Sequence, residues 1–347
     1  MIVLAAMMIV IYVLANIPAV AEYVFARGVT RWIDFLLSRI TNYIPVSFYE
    51  WSAVILIIGG VALAVILIVM LCKKCFSAAL TCVYRLSVAA LAVALAFGVL
   101  YAPLYNRYST YEALGLSEIS VTDDDVYSAA QYYVKRLNET SSVLERDGDG
   151  NVVNAYKFSE LADRLNEEFA AYGAYFAQYE VRPKRVVLSV PMSYLGITGI
   201  YFPFYAEANV NVNIPPSDLP VTMAHEMAHA KGVAQENEAN LIAYCICLRA
   251  DDAFLNYSGL MDAAAILINA LPEERAKVLR DSISQEVLEE YKNISEHYEK
   301  YECFLDRISS FFNDLFLKSN GIQEGTRSYG NTVCGLVSLY LQEKDIH

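Results

Sequence analysis

Two stretches of this chain, Trp51 to Leu71 and Leu86 to Leu104, contain no charged side chain. A bilayer's hydrocarbon core is roughly 30 Å thick and takes about 20 helical residues to cross. A run of that length that is apolar all round has no face to offer water. Both segments therefore read as transmembrane helices, and so does the apolar start of the chain, Met1 to Ala21. Trp51, Tyr84, Tyr101 and Tyr105 fall at or near the ends, where amphipathic rings belong. Ala19-Val20-Ala21 has the look of a signal-peptide cleavage site. No Lys or Arg precedes the apolar run, however, and its length suits a full span, so a retained helix is expected. Lys73, Lys74 and Arg85 crowd the second loop. The positive-inside rule places that loop in the cytoplasm and the remainder of the chain outside. The first loop carries three Arg over an amphipathic stretch from Ala26 to Tyr49.

Charge divides the chain at the same place. Of 26 basic and 39 acidic side chains, six and three precede Arg107. The expected organisation is a membrane anchor over 1–106, with spans at about 1–21, 51–71 and 86–104, and an acidic globular domain over 107–347. An acidic surface repels phosphate backbones, which excludes nucleic acid as a partner and leaves the lipid bilayer and a peptide or protein substrate. Seven cysteines give no disulfide framework.

Beyond Arg107 the pattern is mainly helical, with apolar residues at helical spacing around Asp124–Leu137, Lys157–Tyr179, Glu273–Leu288 and Ser295–Leu317. A β-flavoured region interrupts it. Arg185 to Val190 reads as a strand, and Ala206 to Ile214 alternates small or apolar with polar residues, predicting a strand with one wet face. The expected fold class is α+β, mainly α, with a small sheet. Pro215, Pro216, Ser217 and Asp218 then stop the strand and offer caps for the next helix.

That helix carries Ala224-His225-Glu226-Met227-Ala228-His229. Histidines four apart share one helix face, so both imidazoles can converge on one metal ion. Glu226, beside the first ligand, is placed to take a proton from a zinc-bound water and hand it to a leaving amine. Zinc lowers the pKa of that water to roughly 7. Gly232 follows His229 closely enough to end the helix. A catalytic zinc needs a third protein ligand, and Gln235-Glu236-Asn237-Glu238-Ala239-Asn240 opens a second helix just downstream. Glu238 is the leading candidate and Glu236 the alternative; two residues apart on a helix, they point in different directions. Tyr257 and Tyr329, both in Gly-containing segments that read as loops, are candidate donors to a developing oxyanion. The strand through Asn209–Asn213 could accept an extended substrate by strand addition.

HEMAH followed by an ENEAN helix resembles the gluzincin class of zincins, whose third ligand is a Glu on the helix after the active-site helix. The ExEAN segment is also similar to compact metallopeptidases that act as bacterial regulators. The whole layout resembles an uncharacterised family of bacterial membrane proteins regarded as zinc metallopeptidases. The features that carry this likeness are PFYAEANVN (203–211), LPVTMAHEMAHAKG (219–232), ENEAN (236–240), FLNYSG (254–259) and SYG (328–330). The resemblance implies a zincin-like domain, zinc held by His225, His229 and Glu238, Glu226 as catalytic base, and a home in the bacterial cell membrane with the catalytic domain extracytoplasmic. One departure stands out. The best-known gluzincins carry an acid four residues after the ligand Glu to orient the first His, and Ile242 occupies that position here. Competing readings are a membrane sensor or signal transducer built on such a domain, and a silent scaffold. The intact Glu226 argues against the scaffold. Substrate identity and oligomeric state are not legible.

Overall fold

The computed structural model describes residues 1–116, 119–305, 307, 309, 310 and 326–346, without the side chains of 112, 113, 326–331, 345 and 346. The chain divides into two units, Met1–Tyr108 with Phe202–Glu207, and Ser109–Tyr201 with Ala208–His347. The segment Phe202–Glu207, which the sequence pattern assigns to the globular part, thus belongs with the N-terminal helices.

The first unit begins with α1 (Ile2–Ala15) and α2 (Pro18–Val20). A π-helical stretch (Ala21–Val29) leads into α3 (Thr30–Thr41), and two long helices follow, α4 (Phe48–Cys72) and α5 (Phe76–Leu100). Helices α4 and α5 are long and apolar enough to cross a membrane, and the most apolar window of each is unburied within the protein. Two of the three expected spans are corrected. The last starts at Phe76 rather than Leu86, directly after the Lys73-Lys74 turn, and it ends before the 3-10 turn Ala102–Asn106 that contains Pro103. The first is not a straight span: α1 stops at Ala15, and Pro18 opens the next helix across a 98° bend. Proline lacks the N–H for the helical ladder and clashes with the carbonyl four residues back, so the break falls there.

Buried polar groups hold this unit together. Arg107 donates to Glu22 from Nε (2.9 Å) and Nη2 (3.1 Å), and Arg27 Nε donates to the same carboxylate at 2.6 Å. The start of α4 leaves unpaired N–H groups. Ser47 Oγ accepts from Glu50 N, and Glu207 accepts from the backbone of Phe48 and Tyr49 at 2.9 and 3.1 Å. An anionic side chain there also meets the positive end of the helix dipole.

The second unit contains α6 (Asp123–Ser141), α7 (Phe158–Ala171), β1 (Lys184–Val186), α8 (Ser189–Tyr194), β2 (Gly199–Phe202), β3 (Glu207–Asn211), α9 (Leu219–Ala230), α10 (Glu236–Arg249), α11 (Ala253–Asn269), α12 (Glu273–Arg280), α13 (Gln285–Glu299) and α14 (Thr326–Ile346). It is mainly helical with a small mixed sheet. A capping box between Thr122 and Asp125 starts α6. Helix α10 buries most of its residues beyond the first turn and packs against α9, α11 and α14, while α11 also packs on α6. The helix expected over Lys157–Tyr179 ends at Ala171, and that over Glu273–Leu288 breaks at Asp281–Ser284. The helix expected over Ser295–Leu317 is interrupted: α13 passes through Ser295 and ends at Glu299, the backbone leaves the helix over 300–303, and residues 306, 308 and 311–317 lie outside the described residues.

The sheet corrects three expectations. Its order is β1-β3-β2, with β1 parallel to β3 and Arg185 opposite Val210. Strand β1 is short because Ser189 already begins a helix. Strand β3 has no wet face, since all five of its residues are buried. Its asparagines point inward and are bonded there: Asn211 Nδ2 donates to Ser193 Oγ (3.0 Å) and to the Ile197 carbonyl (2.9 Å). Strand β3 is also central and has no free edge for a substrate strand. Among the described residues, β1 and β2 are the edge strands.

Candidate metal centre

Helix α9 follows a 3-10 turn, Pro216–Asp218, and buries nine of its twelve residues. Asp218 leaves the cap unfilled, its carboxylate accepting instead from the Tyr298 hydroxyl at 2.6 Å. Packed in this way, α9 buries His229 and leaves His225 half-buried.

The end of α9 builds the site. Gly232 has φ +91°, a conformation that costs other residues about 1–2 kcal/mol. Its N–H bonds the His229 carbonyl at 2.9 Å, and the Val233 N–H bonds the Ala228 carbonyl at 3.2 Å. This is the Schellman pairing. The turn presents the Val233 carbonyl 2.6 Å from His229 Nδ1. In the neutral ring the proton then sits on Nδ1, and Nε2 carries the lone pair that can ligate a metal.

Nε2 of His225 and Nε2 of His229 stand 3.0 Å apart. The turn returns the chain so that Glu236, the first residue of α10, brings Oε2 to 3.2 Å from His225 Nε2 and 3.5 Å from His229 Nε2. These three residues form the metal-capable His/Cys/Asp/Glu group found among the described residues. Glu236, not Glu238, is therefore the carboxylate that meets the histidines. Two positions along a helix turn a side chain about 200° around the axis, and Glu238 points the other way. It accepts from Thr110 N (3.1 Å) and Thr110 Oγ1 (2.6 Å).

Burial works to lower the pKa of His229, but Glu236 overrides it and raises the value to about 9. Burial would raise Glu236, yet the two imidazoles hold its carboxyl well below the usual range. Glu226 behaves differently. Burial pushes it up to about 7 against the pull of both histidines. Its Oε2 and the Nδ1 of His225 are buried without a hydrogen-bond partner among the described residues. An orphaned polar atom costs roughly 1–3 kcal/mol, so a side chain that keeps one is marked for another use. Gly199 on β2 makes room for it: a Cβ there would come within 2.6 Å of Glu226 Cγ.

Tyr257 does not join this group. It lies inside α11, fully buried, rather than in a loop; its hydroxyl donates to Glu290 Oε2 at 2.6 Å and accepts from Arg146 at 3.1 Å. A hydroxyl so engaged does not serve an oxyanion elsewhere. Tyr329 lies on α14, not in a loop, and its side chain is outside the described residues. Sequence reasoning missed Gly199, for which the sequence offers no signal. It also missed the Val233 carbonyl, which a helix end of His-Ala-Lys-Gly could have suggested.

The chain matches the family described as a protein of unknown function (DUF3810) over residues 25–337. No curated protein and no solved structure matches it significantly.

Proposed function

We propose that this chain, which belongs to the DUF3810 family, is a membrane-anchored zinc-dependent metallopeptidase. The observation that carries the reading is the triangle of donor atoms, with edges of 3.0, 3.2 and 3.5 Å. Three donors each about 2.0–2.1 Å from one tetrahedral zinc would stand about 3.3–3.4 Å apart. Two imidazoles and one carboxylate suit zinc and leave a fourth position open. His225, His229 and Glu236 would hold the ion, with His229 oriented through the Val233 carbonyl. Bound there, zinc would acidify a coordinated water to a pKa of roughly 7 and polarise a carbonyl group.

Glu226 supplies the proton handling. Its carboxylate is desolvated, unbonded at Oε2 and poised near neutrality, as a group that accepts and returns a proton should be. Peptide is the favoured substrate because Gly199, against which Glu226 packs, lies on β2, where an extended chain can pair by strand addition. The Lys73-Lys74 turn and Arg85 are assigned to the cytoplasm of a bacterial cell by the positive-inside rule, and the chain beyond Leu100 to the opposite side.

The test uses the full-length protein in detergent, stripped with a chelator and reloaded with zinc. One zinc per chain is expected, lost in His229→Ala and in Glu236→Ala. Glu226→Gln should keep the zinc and lose cleavage of a peptide library. Zinc retention without any Glu226-dependent cleavage would replace the peptidase reading with the sensor. Failure of the parent to retain zinc would overturn the centre itself.

A further inference from the structure

We infer that α3 lies in the plane of the membrane, in its interfacial zone, with its apolar face against lipid acyl chains. The inference takes α4 and α5 as membrane spans. A helix in a water-soluble protein buries its apolar stripe and exposes its polar one. Helix α3 does the reverse. Arg31, Asp34, Ser38 and Thr41, at spacings of three and four, are buried inside the unit. Trp32, Leu36, Ile40 and, just past the helix end, Tyr43 are 66%, 60%, 62% and 81% exposed. Spacings of four, four and three put these rings and alkyl chains on a single stripe. A helix turned inside out is favourable where its surroundings are less polar than the protein groups behind it, and the acyl region supplies such surroundings.

The contacts within the unit set the depth. Thr30, at the start of α3, donates its hydroxyl to the carbonyl of Val99, next to the last residue of α5. Glu22, one element earlier, is clamped by Arg107 just beyond that span. The antiparallel pair α4 and α5 begins and ends at this same side, so α3 is tied to the level where the spans leave the hydrocarbon. With twelve residues, α3 is about 18 Å long, short of the roughly 30 Å a crossing requires. The chain reaches it through the 98° bend after α1. Trp51, at the start of α4, is also exposed, at 56%, and extends the belt of interfacial aromatics. Arg39, exposed and stacked 5.3 Å over the Phe35 ring, has the reach to meet headgroup phosphates.

Trp32 and Trp51 are the two tryptophans of the chain, so each can be isolated by one conservative change. The full chain carrying Trp51→Phe is reconstituted into vesicles of phosphatidylcholine and phosphatidylglycerol, the phosphatidylcholine brominated either near the glycerol end or near the methyl end of its acyl chains. Loss of Trp32 fluorescence is expected to be greater with the shallow bromines, and aqueous iodide should leave it bright. Stronger quenching by the deep bromines would make α3 part of a re-entrant or spanning segment and overturn the proposal. Shielding from both iodide and bromine would put protein, a partner or a second copy, on the stripe instead. Ready quenching by iodide would leave it in water. The Trp32→Phe chain reports on the premise: if Trp51 also escapes every brominated lipid, the reading of α4 as a span has failed, and this proposal falls with it.

Discussion

Two carboxylates are almost equally buried, Glu22 in the first unit at 2% exposure and Glu226 in the second at 4%. Glu22 accepts three hydrogen bonds from two guanidinium groups. Glu226 Oε2 accepts none among the described residues, although two histidines and a second carboxylate are close enough to move its pKa. A buried charge that is matched on all sides ties elements together, and removing a partner is what harms it. One left unmatched beside converging metal donors weakens the fold slightly and is available for chemistry. Burial alone therefore does not separate structural from reactive acids; the partner inventory does.

The comparison breaks most sharply at Glu226. Glu226→Gln should lower peptide turnover about 10²–10⁴-fold, the usual worth of a positioned acid–base group, while zinc content and the unfolding midpoint hold. A parallel collapse in stability would move Glu226 into the same class as Glu22. Arg107→Ala tests the other side. Stripped of one of its two cations, Glu22 should destabilise the membrane unit by about 3–5 kcal/mol, read from denaturant unfolding in detergent, with the bound zinc unchanged.

Glu236 and Glu238 sharpen the contrast within a single turn. Glu238→Gln is expected to weaken the hold on Thr110 and lower stability by about 1–3 kcal/mol without touching zinc stoichiometry. Glu236→Gln should do the opposite. If metal analysis showed Glu238→Gln losing zinc, the assignment of the third ligand would be reversed.

The smallest effect concerns pH. Burial raises Asp262 from 3.8 to about 7, helped by the charge on Asp218, and raises Asp218 to about 6. Both folded-state values lie above the unfolded one, so the stability tied to the protonated forms is present below about pH 4 and fades as pH rises toward 7. Asp262→Asn removes one such group. Its melting temperature relative to the parent should rise between pH 4 and pH 8, and a flat difference across that range would show that Asp262 stays solvated.

The histidine pair was legible from the chain because a spacing of four is a local property of any helix. So was the presence of helices long and apolar enough to cross a membrane at α4 and α5, because apolar residues over some 20 positions are read directly from the chain. The carboxylate that joins the pair was not. The choice between Glu236 and Glu238 depends on how far the Gly232 turn swings the next helix, a matter of a few backbone angles that spacing does not report. Tyr257 illustrates the same limit from the other direction: near a glycine in sequence, it looks like a loop residue, yet α11 buries it on Glu290.

By itself, then, the sequence determined which residues can bind a divalent ion in pairs, where hydrocarbon is the natural surrounding, and that the remainder is an acidic, mainly helical body. Tertiary structure decided which carboxylate stands with the two histidines, that β2 rather than β3 offers a strand edge beside Glu226, and that α3 turns its polar stripe inward. The reason is common to all three. Periodicity fixes how side chains are arranged around one element, while the direction in which that element faces depends on neighbours brought together by turns and long-range contacts.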